Sequence, residues 1–279
     1  PVLKYLDDDG KSIEPEYYVP MLPMVLINGT EGIGTGFSCY VPPFNPEDIK
    51  SNIKKILTGQ PVTPMSPWFR GFKGTITKDN DGSWIASGIY RNGVVSELPP
   101  GKWTQDFKEY LESLIEKKLI ANYKDNSTTE QVHFEIQGYT GDDPMKDFKL
   151  TKAIHTTNMH LFHPTKGIKK YQTAEEILVD FVEIRLDHYK KRKAHLLKSM
   201  SERQVLLNNK NRFITQVINN EIVVFRRPRA DLEKELETLK YAKIDGYDYL
   251  LNIKTYQYTL EAIKTLSDEV QKLKEETEK

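Results

Sequence analysis

The sequence predicts an α+β fold in two parts: a region of short strands with few helices, then a region of long helices. Residues 61–162 hold short strand-like runs separated by turns such as "KDNDGS" and "RNG". A helical pattern runs unbroken from Thr173 to about Ile218, and a heptad-like run begins at Leu260. At 279 residues the chain is long enough for more than one unit.

In order along the chain, residues 1–44 are rich in proline, glycine and aromatics, and Met24 to Ile27 is an apolar run of the length of a buried strand. "FNPEDIKSNIKKILTG" reads as a helix: Asn45 caps it, Pro46 fits the first turn, Glu47 and Asp48 meet the positive end of the dipole, and Gly59 closes it. Ile49, Ile53, Ile56 and Leu57 fall on one face, which marks the buried side. Next come the strand runs "GFKGTITK", "SWIASGIYR", "VVSELP", "QVHFEIQ" and "FKLTKAIH", with one helix at "WTQDFKEYLESLIEKK". Thr173 and Glu176 form a capping box. Ile177, Phe181, Ile184 and His188 then have the four-three-four spacing of a coiled-coil seam, which drifts toward Leu197, Met200 and Leu207. Some forty residues of helix would be roughly 60 Å long. "NNEIVVFRRPRADLEKELETLKY" predicts a turn, a short strand and a helix seamed by Leu232, Leu236 and Leu239. Leu260, Ile263, Val270 and Leu273 begin a further helix, expected antiparallel to the first long one.

Bulk properties narrow the function classes. Hydrophobic residues are 38% and charged residues 29% of the chain, and no stretch approaches the roughly 20 apolar residues that cross a bilayer, so no membrane partner is expected. The single cysteine, Cys39, excludes an intrachain disulfide and points to a reducing compartment. Net charge is zero, but residues 173–230 hold twelve Lys/Arg against seven Asp/Glu, and residues 231–279 hold eight against twelve. That asymmetry fits two helices pairing with each other as well as it fits a basic stripe for nucleic acid. Pro1 at the start, and a helical pattern without a C-cap glycine at "SDEVQKLKEETEK", predict a piece of a longer protein.

Within "MVLINGTEGIGTGFSC", four glycines between Gly29 and Gly36 surround a lone β-branched residue, Ile33. A phosphate-binding loop is disfavoured, because the Lys-Ser/Thr of a P-loop is missing and the next helix starts only at Asn45. Two readings of Ile33 stand: a plug in a core with glycines in turns, or an apolar wedge on a bare backbone that enters between stacked bases. Asp7, Asp8 and Asp9 point different ways in a Gly-ended turn, and His155, His160 and His163 lack a cysteine partner, so neither set predicts a metal site.

The segment "EPEYYVPMLPMVLINGTEGIGTGFSCYVPPFNPEDI" closely resembles the eukaryotic-type (type IIA) DNA topoisomerase II family just after its catalytic tyrosine, and the likeness resumes in "FKGTI", "SELPPGKWTQDFKEYLE", "FKLTKAIHTTNMHLF" and "YDYLL". The resemblance implies that residues 1–45 end the winged-helix, tyrosine-bearing domain, residues 46–172 form the tower, and residues 173–279 form a coiled-coil arm and a truncated C-terminal dimer gate. It implies that Ile33 intercalates in DNA. It also implies that Trp103 and the strand from Lys149 to Asn158 follow the duplex, with Lys149, Thr151, Lys152, Thr156, Thr157 and Asn158 as partners. The spacer "PGK" before Trp103 departs from the animal enzymes. Without the resemblance, Trp103 reads as a staple of its helix and the lysines as a solvated strand face. Double-stranded DNA, a second copy through the C-terminal gate and the upstream domains of the same enzyme are the implied partners. Magnesium and ATP belong to the full-length enzyme; no cofactor and no catalytic residue is expected in this chain, whose nucleophile would lie upstream of Pro1. The implied compartment is the nucleus, or a viral factory or cytoplasm for a large DNA virus. The rival reading is a non-catalytic coiled-coil dimerisation module that binds no DNA.

Overall fold

The computed structural model describes residues 1–278. The chain is a mixed α+β fold of small antiparallel sheets and helices, divided into two compact units: Tyr5–Leu186, and Asp187–Lys279 with Pro1–Lys4.

The first unit opens with a hairpin, β1 (Tyr5–Asp8) and β2 (Lys11–Pro15), whose turn is held by the Gly10 N–H donating to the Asp7 carboxylate. A short helix α1 (Met24–Asn28), a hairpin of β3 (Thr30–Gly34) and β4 (Phe37–Val41), and helix α2 (Pro46–Leu57) follow. Then come β5 (Thr75–Asn80), β6 (Ser83–Ser87), β7 (Ile89–Arg91), β8 (Val94–Glu97), α3 (Thr104–Glu116), β9 (Asn122–Asp125), β10 (Phe134–Gln137) and α4 (Pro144–Asp147). The strands β11 (Thr151–His155), β12 (Met159–His163) and β13 (Gly167–Tyr171) lead into the long helix α5 (Ala174–Ile218). A four-stranded sheet runs β7-β8-β10-β9, a three-stranded one β11-β6-β5, and β12 pairs with β13.

The run "SWIASGIYR", read as one strand, serves two sheets because Gly88 breaks it. A Cβ at Gly88 would sit 2.3 Å from the Glu97 carbonyl oxygen, so only glycine lets the chain pass from β6 to β7 there. One core packs α3 on the four-stranded sheet, with Phe107 and Phe134 edge to face at 5.1 Å and Phe148 and Leu150 fully buried beside them. A second gathers Leu26, Phe44, Ile49, Met159, Tyr171 and Leu178.

Local chemistry explains what matched the expectation. Asn45 accepts the Glu47 N–H at 3.0 Å, and Gly59 adopts φ +70° after the last turn of α2. Ile49 is buried, but Leu57, expected on the same face, is exposed because the helix ends there. Thr173 caps Glu176 as expected, while the Glu176 carboxylate accepts from Gln172 rather than from Thr173. Of the predicted seam, Ile177 and His188 are buried and Phe181 and Ile184 half-buried, since Leu178 and Val182 share the inward side.

Two predicted strands are corrected. Met24 to Ile27 is helical: Leu26 and Ile27 donate to the Pro23 carbonyl, and only Leu26 is buried. A four-residue apolar run has no period to distinguish the two states. Residues 219–228 hold no strand among the described residues, because Ile222 and Val224 pack onto the helical core instead of finding a strand partner. The glycine-rich stretch around Ile33 forms the β3–β4 hairpin.

The second unit is helical. With the C-terminal part of α5 it contains α6 (Arg229–Thr238), α7 (Asp248–Leu251) and α8 (Leu260–Glu278). Phe213, Ile222, Leu236, Tyr241, Tyr247 and Leu250 form its core. Leu207 packs with Val270 and Leu273. Asn211 donates to Ser267 and Thr277 to the Met200 sulfur, so α5 and α8 run in opposite directions where they touch.

Candidate nucleic-acid interface

Ile33 stands in mid-strand on β3, paired with Ser38 of β4, and is 92% exposed. The core-plug reading therefore fails for this residue. Gly29 is required internally: φ is +70° and a Cβ would meet the Val41 carbonyl oxygen at 2.8 Å. Gly32 differs, with ordinary φ and open space where a Cβ would be, so nothing among the described residues demands a glycine at position 32. The hairpin is anchored from outside by Asn158, whose carbonyl accepts the Tyr40 N–H at 2.9 Å and whose amide donates to the Ser38 hydroxyl at 2.7 Å. Asn158, expected on DNA, thus has an architectural task here.

A second group collects around the turn 99–102. Lys102 N–H donates to the Pro99 carbonyl, and Gly101 takes φ +77°. The Lys152 ammonium donates to the Pro100 carbonyl at 3.0 Å. Lys149, itself at φ +50°, places its ammonium 4.3 Å from the centroid of the Tyr110 ring. Trp103 occupies the N-cap position of α3 without a side-chain cap bond and is 73% exposed, so it does not staple that helix. Thr151 and Thr157 are exposed, whereas Thr156 is buried, with its N–H donating to the Gly82 carbonyl.

Between the two groups lies a cleft of about 380 Å³, lined by Gly29, Thr30, Glu31 and Tyr40 on the hairpin side and by Gly101, Lys152 and Ile154 on the other. Ile33, Trp103, Lys149 and Lys152 thus all belong to the unit Tyr5–Leu186.

Sequence reasoning does not reach Lys102. Its ammonium donates to the carbonyls of Phe148 and Lys149, both at 3.1 Å, and lies 4.8 Å from the Phe107 ring centroid. Burial first, then the Lys149 ammonium, pull Lys102 down to about 8, with Asp106 acting in the opposite sense. The lysine beside an exposed tryptophan is the one local signal; its carbonyl partners lie 46 and 47 residues later.

No group of three or more His, Cys, Asp or Glu among the described residues is placed to hold a metal ion. Asp7 closes the first hairpin turn, and His163 faces Asp180, which also accepts from Lys169 at 2.6 Å and Tyr171 at 2.9 Å. Among the described residues these donors do not gather into a magnesium site. No helix is long and apolar enough to cross a membrane, among the residues described.

The sequence matches, over residues 1–279, the family of the DNA gyrase/topoisomerase IV A-type subunits. It is 42% identical over 255 residues to a DNA topoisomerase 2 of Pisum sativum, covering 85% of this chain and 17% of that protein. It is 34% identical over 328 residues to the DNA topoisomerase 2 of Plasmodium falciparum, covering 100% of this chain and 24% of the relative. The chain thus spans a quarter or less of these curated relatives. Among solved structures, a Plasmodium falciparum topoisomerase II DNA-binding, cleavage and re-ligation domain aligns with TM-score 0.87 at 35% identity, covering 100% of this chain and 44% of that one. With the family matched from end to end and the fold shared with a relative of this kind, the chain belongs to the DNA gyrase/topoisomerase IV family of type IIA DNA topoisomerases.

Proposed function

We propose that the chain is the part of a type IIA topoisomerase that follows the nucleophilic tyrosine and that it bends and holds the duplex to be cut, while its helical end forms the exit gate. The carrying observation is Ile33, almost fully exposed on a hairpin whose Gly32 has no internal reason to be glycine, across a cleft from Lys152. An apolar side chain on bare backbone can enter between base pairs and kink the duplex. Lys149 and Lys152, with the hydroxyls of Thr151 and Thr157, then hold the flanking phosphates, which fixes position without reading sequence. In this reading residues 1–45 complete the winged-helix domain, 46–172 are the tower, and 173–279 are the arm and gate. The nucleophile comes from another segment of the enzyme, which passes one duplex through a transient break in another using ATP and magnesium. Exposed Phe225, Tyr256 and Leu260 support a two-fold contact at the helical end.

The test is fluorescence anisotropy of a short duplex titrated with the chain over a range of salt. The logarithm of affinity should fall linearly with that of salt, and Lys149→Ala with Lys152→Ala should flatten the slope by about 1.8, or about 0.9 per phosphate contact, across unrelated sequences. An unchanged slope would place both ammonium groups away from phosphate. The same mixtures with magnesium, run under denaturing conditions, should show no covalent adduct; one that formed would place a nucleophile in this chain. A salt-resistant dimer without DNA affinity would favour the rival dimerisation module.

A pH dependence follows from Lys102. Its folded value of about 8 lies below that of an unfolded lysine, about 10.4, so its contribution to stability is present at high pH and lost as pH falls through 8. For an anionic partner the sense is opposite, because the lysine cluster loses one positive charge as pH rises through that value. Duplex affinity should fall by about fivefold between pH 7 and 9, the weight of one partly solvated charge contact. Lys102→Gln should remove the step; a step that survives would assign it elsewhere.

A further inference from the structure

The hairpin β12–β13 stands beside the Ile33 hairpin and has two unlike faces. Its register pairs Phe162 with Ile168 and His160 with Lys170, so these four side chains share one face. The opposite face closes the core: Met159 and Tyr171 are buried, Leu161 packs against them, and Lys169 is held by Asp180. The first face is left open, with Phe162 83% exposed and Ile168 45%. Folding this unit gains little from an aromatic ring standing in water at mid-strand.

Phe162 and Ile168 line one cleft of about 470 Å³ together with Ile33, Gly32 and Ser38. Asn158, the residue just before β12, bonds to both Tyr40 and Ser38, so the two hairpins are tied together rather than merely adjacent. Charge indicates what kind of surface fits the open face. Residues 159–171 contain Lys166, Lys169 and Lys170 and no acidic residue, and Lys166 and Lys170 are exposed. Phe162 and Ile168 with Lys170 on the same face and the exposed Lys166 in the turn, on a hairpin that carries no carboxylate of its own, match a polyanion that also presents apolar sugar and base edges.

We infer that Phe162, backed by Ile168, is a second apolar contact on the duplex that Ile33 enters, resting on the deoxyribose and base edges of the minor-groove side next to the opened step, with Lys170 on a flanking phosphate. The inference rests on the reading of Ile33 as a wedge. It makes the bending element two tied hairpins instead of one, with Ile33 opening the step and Phe162 supporting the strand displaced from it.

The experiment uses the whole chain and a short duplex labelled at both ends, reading bending by energy transfer and affinity by titration. Phe162→Ala should lower affinity about tenfold and reduce the bent fraction, with the salt slope unchanged because no phosphate contact is lost. Phe162→Leu should restore most of both, and Lys170→Ala should flatten the slope by about 0.9. If Phe162→Ala binds and bends like the parent while Ile33→Ala leaves the duplex straight, the wedge stands and this inference is overturned. If Ile33→Ala bends like the parent, or the parent itself leaves the duplex straight, the wedge reading falls and takes the inference with it. A Phe162→Ala chain that changes its sedimentation but not its binding would assign the face to a protein contact and also overturn it.

Discussion

Ile33→Ala should abolish bending of a short duplex while leaving binding within about tenfold of the parent chain. The two readouts separate because the side chain contributes to binding with both signs. Burying an isoleucine between bases gains about 2 kcal/mol, whereas opening the step and bending the helix costs about 1–6 kcal/mol. Removing the wedge removes both, so the net change in affinity is small. The geometry has no comparable cancellation: without an inserted side chain the roughly 20–90° kink of wedge-type binders has no cause. The control on folding is favourable, since a side chain 92% exposed can be truncated within about 0.5 kcal/mol of parent stability. Energy transfer between the duplex ends should therefore drop to the value of free DNA at saturating protein. Equal transfer for parent and variant would mean that Ile33 stays outside the base stack, and the proposed bending role would be lost with it.

Ile33 also illustrates how far the sequence could be read. Its isolation among glycines was visible, but its surroundings were not, because the choice between core plug and exposed wedge depends on which elements cover β3. Helix α2 was legible down to its caps because Asn45, Pro46 and Gly59 act on their own backbone. The β12–β13 hairpin was not, because its alternation is masked: apolar residues occupy both faces, Met159 and Leu161 inward and Phe162 and Ile168 outward. Gly88 ended β6 through the distant Glu97 carbonyl, and Lys102 acquired its depressed pKa from burial and then from the Lys149 ammonium, in a site built with the carbonyls of Phe148 and Lys149 that no local pattern joins to it. Asn52 is a similar case: a buried polar side chain on α2 satisfied by donating to and accepting from the Thr63 backbone, both at 2.8 Å. The legible part was the chemistry of residues on their own neighbours, and the hidden part was chemistry that folding brings across tens of residues.

The second large effect is expected in the helical unit. Phe213→Ala should destabilise it by about 3–5 kcal/mol, the usual range for emptying an aromatic site in a closed core. Phe213 is fully buried, stands edge-on to Tyr241 at 6.2 Å and 87°, and lies 6.5 Å from Tyr258. Its neighbours have little room to collapse into the void. The Arg212 guanidinium stacks on Tyr241 at 4.6 Å and also donates to the Leu239 carbonyl, pinning one wall. Tyr241 is itself buried, which pushes its hydroxyl up to about 12, and that hydroxyl donates to the Gln216 side chain. For a unit of this size each kcal/mol shifts the midpoint by about 4–8 °C, so the helical transition should fall by about 12 °C or more in calorimetry. Phe107→Ala, in the separate core of the strand-rich unit, should lower the other transition and leave this one in place. If the helical end carries the two-fold contact, Phe213→Ala should also abolish self-association in sedimentation at temperatures where Phe107→Ala retains it. A single transition displaced equally by both substitutions would show that the two cores unfold as one, and a dimer that persists through the loss of the Phe213 core would place the two-fold contact outside the helical end.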